Sequence, residues 1–150
     1  DVGEAYDGVT AGLRWDAMEG GLESVQWVLG ERAADIGAAG EICTSVLLWA
    51  ALKGQMETVQ WLLREGRADI AEADKDGTTA LLGAAQEGQL ETVQWLLGEG
   101  GADVAETDED GTTALRWAAL KGKLETVQWL LGEGRADIAE ADESGTTAFL

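Results

Sequence analysis

Histidine, proline and asparagine do not occur in this chain, and cysteine occurs once, at Cys43. Without histidine there is neither the usual proton shuttle near neutral pH nor the commonest metal ligand. A lone cysteine excludes a disulfide framework and a cysteine-based zinc site. With no histidine to activate it, it is also a poor nucleophile. Bases are scarce: 10 Lys and Arg stand against 29 Asp and Glu, a net charge of −19. Neutralising phosphates requires clustered Lys and Arg, so nucleic acid is excluded as a general partner. An acidic membrane surface is disfavoured for the same reason. No apolar run approaches the roughly 20 residues of a membrane span, so no membrane insertion is expected. What remains is 150 residues, 45% of them apolar, enough hydrophobicity to fold.

Internal repetition organises those residues. The segment Thr58-Val59-Gln60-Trp61-Leu62-Leu63 returns at Thr92 to Leu97 and at Thr126 to Leu131, and in altered form at Ser24 to Leu29. The offset is 34 residues throughout, and residues 77–110 and 111–144 agree at 25 of 34 positions. Four units are therefore expected at 9–42, 43–76, 77–110 and 111–144, with partial units at 1–8 and 145–150. Both ends fall inside a unit, so the chain reads as a piece of a longer array.

A period of 34 also belongs to tetratricopeptide repeats, so the interior of the unit decides. Gly77-Thr78-Thr79 supplies a turn and an N-capping hydroxyl. Ala80, Leu81, Ala84 and Ala85 follow on one helical face, and Gly88 marks the stop. A second short helix begins near Leu90 or Glu91, burying Leu90, Val93, Leu96 and Leu97, and ends by Gly98 to Gly101. Ala102 to Asp110 is acidic and non-periodic, a loop that two long helices would leave no room for.

The arrangement resembles the ankyrin repeat. The family's Thr-Pro-Leu-His-x-Ala-Ala signature stands here as Thr79-Ala80-Leu81-Leu82-Gly83-Ala84-Ala85 and as Thr113-Ala114-Leu115-Arg116-Trp117-Ala118-Ala119. Gly101-Ala102-Asp103-Val104 matches its Gly-Ala-Asp-(Val/Ile) element. Its Asp-x-x-Gly turn appears at Asp74 to Gly77, Asp108 to Gly111 and Asp142 to Gly145. The resemblance implies an all-α solenoid of stacked helix–turn–helix units with short β-hairpin-like loops. Leu82 and Arg116 replace the family's histidine, so its hydrogen bonds between loops are expected to be absent or replaced. Val9 and Cys43 replace turn glycines, and Asp16 replaces a small core alanine; it is either a functional carboxylate or, as expected, one that has a partner such as Arg14 or lies at the edge of the fold.

Chemical readings of other motifs are weak. Glu106 to Gly111 mimics the start of a calcium-binding loop, but the twelfth position, where a carboxylate is required, is Trp117. Asp and Glu recur on outward positions, where water keeps them ionised, and not as a pair in an apolar cleft. No enzyme activity, metal or cofactor is expected. The seven tryptophans occupy two repeat positions: Trp27, Trp61, Trp95 and Trp129 on the second helix, and Trp15, Trp49 and Trp117 on the first. Packing between units is the expected role of both rows. Gly83 breaks the first row, and a notch there would accept a partner's side chain.

The resemblance implies a non-catalytic protein–protein interaction module. Its partner would meet the concave face, formed by the hairpin tips and the exposed side of the first helices. Carried onto this chain, the tips are Lys75, Asp76 and Thr78; Glu109, Asp110 and Thr112; and Glu143, Ser144 and Thr146. The helical contacts are Leu52, Lys53, Gln86, Glu87, Leu120 and Lys121. Leu52 and Leu120 resemble an apolar interface core inside a polar rim. The row Glu19, Lys53, Glu87 and Lys121 alternates in sign and could pair between units, but such exposed pairs contribute little, and the row reads as a solvated face. Unit three carries eight acids and no base, a field that either attracts a basic surface or segment or keeps a repetitive array soluble and monomeric by repulsion. Two other roles fit the same repeats: a structural spacer or assembly subunit, and the targeting arm of a larger enzyme. An intracellular location, cytoplasmic or nuclear, is expected.

Overall fold

The computed structural model describes residues 12–31, 39–65, 68–134 and 136. Helix α1 covers residues 12–19 and α2 covers Leu22–Glu31. Next come α3 at Ala39–Lys53, α4 at Met56–Arg64, α5 at Ala80–Gln86 and α6 at Leu90–Gly98. Then α7 covers Ala114–Leu120 and α8 Leu124–Gly132. No strand forms among the described residues, although Thr107 and Thr113 make an isolated antiparallel bridge at the base of a tip. This is an all-α stack of helix–turn–helix units, and no helix runs through Ala102 to Asp110.

In the third and fourth units local chemistry starts and stops the first helices where the sequence pattern places them. The Thr79 hydroxyl accepts from the Leu82 N–H at 3.3 Å and Thr113 from Arg116 at 3.4 Å, capping the first turns of α5 and α7. The first helices of four units end at glycines with positive φ: Gly20 at 83°, Gly54 at 74°, Gly88 at 71° and Gly122 at 70°. At Gly54 the missing side chain also makes room. A Cβ there would fall 2.5 Å from Gln89 Oε1, where Gln89 crosses from the next unit to donate to the Leu52 carbonyl at 3.2 Å. Gln55 reaches back to the Met18 carbonyl in the same way, at 2.8 Å. Each rung satisfies an orphan carbonyl at the end of a helix.

Stacking is carried by small residues on the first helices. Ala50, Ala51, Ala84, Ala85 and Ala118 are fully buried, so α3, α5 and α7 lie close along one row, while the second helices touch one another less. Val93 and Leu96 are buried as expected, but Leu90 and Leu97 are only partly covered. Leu82 is completely buried, so packing has taken the place of its missing imidazole. Ties between loops come from elsewhere: Glu109 N–H donates to the Asp76 carbonyl at 3.2 Å, and the Thr79 hydroxyl donates to the Glu106 carboxylate.

The second unit departs from the expected pattern. Helix α3 runs unbroken from Ala39 through Cys43 to Lys53, whereas the repeat places a turn before its first helix. Gly40-Glu41-Ile42-Cys43 has neither the aspartate that closes the turn by bonding its own backbone nor a glycine at its last position. Without those signals nothing halts the helix. The Asp142–Gly145 turn and both partial units lie outside the described residues.

Glu106 connects the fold to pH. Burial pushes its carboxyl above the ordinary carboxylate range and the nearby Asp103 charge adds to the rise, against the lowering effect of hydrogen bonds from the Thr79 hydroxyl and the Asp103 N–H. A carboxyl with a raised folded-state pKa favours folding fully below its unfolded value, and that advantage disappears as pH rises through the folded value. Glu106→Gln keeps an acceptor for Thr79 and cannot ionise. Its melting temperature relative to wild type is therefore expected to climb from about pH 4, near the unfolded carboxyl value, to neutrality. A difference that stays flat across that range would contradict a destabilising charge at Glu106.

Candidate functional site

One face of the stack combines first helices and tips, and each tip is built by its own aspartate. Asp74 Oδ1 accepts the N–H groups of Asp76 and Thr78, each at 2.9 Å, and Asp108 Oδ1 accepts those of Asp110 and Thr112 at 3.0 and 2.9 Å. Gly77 and Gly111, at φ 80° and 78°, close the two turns by donating to the carbonyls of Asp74 and Asp108. Side chains at the tip summits therefore point away from the turn. Lys75, Asp76, Glu109 and Asp110 are exposed.

Thr112 is not available in this way. It is only 6% exposed, because its backbone is drawn into the Asp108 turn immediately before the capping Thr113. Its place among partner contacts fails on that ground. Thr78, its counterpart, is partly buried, and Glu143, Ser144 and Thr146 lie outside the described residues.

On the helices, Lys53, Glu87 and Lys121 are exposed. The alternating row forms no ion pair among the described residues. Lys121 instead lies over the Trp117 ring, 5.9 Å from its centroid. The ion pair that does join units is Arg64–Glu99, at 3.0 Å between exposed side chains, with Arg64 also over the Trp95 ring at 5.5 Å. A solvated pair of this kind contributes about 0–1 kcal/mol. Leu120 is 57% exposed beside Lys121, whereas Leu52 is partly buried. Arg14 donates to Ser45 Oγ at 3.2 Å, a bond across units in place of the expected partnership with Asp16.

Leu52, Lys75, Thr78 and Gln86 come together around a groove of about 780 Å³ between the second and third units. Its floor is Gly83, and its walls include Leu48 and Trp49. The volume falls within the range of small-ligand and side-chain pockets. The sequence marks this place through the break in the tryptophan row at Gly83. Asp74 and Glu72, which also line it, carried no such mark, because nothing in their spacing says which carboxylate faces a cavity.

Four tryptophans, Trp61, Trp95, Trp117 and Trp129, pack partly buried against the core, as expected of both rows. Trp15 and Trp27 are exposed, so packing does not account for every member. Trp117 makes a directed bond: its indole N–H donates to Asp108 Oδ2 at 2.8 Å. This joins a first helix to the tip of the preceding unit.

A family model for ankyrin repeats (3 copies) matches residues 13–108 and 84–150. No curated protein matches the chain. Among the described residues, no helix is long and apolar enough to cross a membrane.

Proposed function

Because the chain belongs to the ankyrin repeat family, whose repeats are generally protein–protein interaction modules, we propose that it docks a partner protein on the face formed by its first helices and tips. We take this as the concave face, since the first helices pack more closely than the second and a solenoid curves toward its more tightly packed row. The observation that carries it is the pairing on one face of the groove at Leu52 with the exposed Leu120. Apolar contact at these points, ringed by the charges of the tips, has the layout of an interface. The eight acids of unit three give the partner its character, a basic surface or segment whose association is fast at low salt and slows as salt rises. No residue of the face acts as a catalyst in this reading.

The test is selection of binders from a displayed protein library, followed by calorimetric titration of a recovered binder. Leu120→Asp combined with Glu109→Lys is expected to weaken binding about tenfold or more, roughly 1.4 kcal/mol. Leu124→Asp is the control, since Leu124 is 65% exposed but belongs to a second helix. Loss of binding with Leu124→Asp alone would move the interface to the opposite side and overturn the reading.

A further inference from the structure

Units two and three end in the same tip, and they differ in what covers it. Asp108 is 9% exposed, because Trp117 lies against it and donates to Oδ2. Asp74 makes the same two backbone bonds through Oδ1, yet it is exposed. The residue 34 positions before Trp117 is Gly83, and among the described residues no donor reaches Asp74 Oδ2. The groove opens at this point, with Asp74 on its rim and Leu48, Trp49 and Leu52 as apolar walls. A Cβ on Gly83 would meet only Leu52 Cδ1, at the ordinary contact distance of 3.7 Å. The site therefore offers what the internal indole uses one unit later: a flat apolar slot ending at a carboxylate oxygen.

We propose that this groove receives a tryptophan side chain from the partner protein, its indole N–H donating to Asp74 as Trp117 donates to Asp108. The inference rests on the docking face proposed above and names the residue that anchors there. Rim charge favours a neutral donor over a guanidinium, because Arg14 and Lys75 line the groove together with Glu72 and Asp74 and balance their charge. A phenylalanine would cover Asp74 without bonding it, leaving Oδ2 desolvated and without a donor. Tryptophan also has the standing of an interface anchor, supplying a large apolar area together with one directed bond.

The experiment is an amide-resolved NMR titration of the intact chain with N-acetyl-tryptophanamide, run beside its 1-methylindole analogue, which has no N–H. Shifts are expected at Asp74, Thr78, Gly83 and Gln86, with the methylated probe about tenfold weaker. Asp74→Asn, which presents the groove with an amide in place of a carboxylate, is expected to weaken the first probe severalfold and leave the second unchanged. Gly83→Trp should abolish the shifts and raise the melting temperature by filling the slot from within. If that variant fails to fold, the Asp74→Asn arm still decides. Equal binding of the two probes, shifts confined to other surfaces, or no shift at the solubility limit would overturn the proposal. So would a selected partner that anchors an arginine in the groove. A partner that binds Gly83→Trp normally but loses affinity with the Leu120→Asp, Glu109→Lys variant would overturn the indole site and leave the docking face intact.

Discussion

Leu81→Ala is expected to destabilise the chain by about 3–4 kcal/mol, within the range measured for fully buried leucines cut to alanine. Leu81 is completely inaccessible on α5, a helix that packs against α3 on one side, α7 on the other and its own partner α6. A cavity there weakens three contacts at once, and in a linear array each interface supports only its neighbours. The consequence goes beyond a lower midpoint: the units on either side of the cavity lose their coupling. Urea unfolding followed by tryptophan fluorescence should shift to lower denaturant and become less steep, or split into two transitions. Leu124→Ala, on a surface 65% exposed, should change stability by about 0.5 kcal/mol or less. A Leu81→Ala loss no greater than that of Leu124→Ala would mean that the units do not bury one another's apolar faces.

Gly77→Ala is the second large effect, and its cause is backbone. Gly77 sits at φ 80°, and a Cβ there would lie 2.5 Å from Glu109 N and 3.0 Å from the Asp108 carbonyl carbon. Those are main-chain atoms of the next tip and cannot swing aside as a side chain would. The substitution adds a left-handed strain of about 1–2 kcal/mol to an overpacking cost of about 1–3 kcal/mol, so a loss of about 2–5 kcal/mol is expected. It should also break the Glu109-to-Asp76 bond that stacks the tips. Gly122→Ala isolates the first part, because φ there is 70° but nothing lies within 4 Å of its Cβ position. That control should cost only about 1–2 kcal/mol. Equal losses in the two variants would show that the tips do not press on one another at Gly77. Chemical denaturation of both proteins measures the difference, and loss of the tip register should also perturb the Trp117–Asp108 bond in an indole-resolved spectrum.

Much of the candidate face was legible before the fold. Lys75, Asp76, Glu109 and Asp110 sit at the centres of Asp-x-x-Gly turns, and a turn centre is exposed in any protein that keeps the turn. Leu120 was equally readable, since it follows the buried Ala118 by two helical positions and so lies on the outer side. Thr112 was misjudged, because its burial depends on how tightly the neighbouring turn draws in its backbone. Leu52 was less readable, because its partial burial depends on Gly83 of the next unit, beside which it lines a groove.

The sequence by itself determined the length of the unit, its two helices, the caps at Thr79 and Thr113, and the glycines that end the first helices. Each depends on residues within a few positions of one another, so local periodicity and backbone preference are enough. Only the tertiary structure decided that Gln55 and Gln89 reach back a full unit, and that Trp117 covers Asp108 while Asp74 stays open. Those outcomes depend on side-chain shape and reach between residues up to 37 positions apart. Such distances are settled when the units close on one another, and no spacing along the chain encodes them.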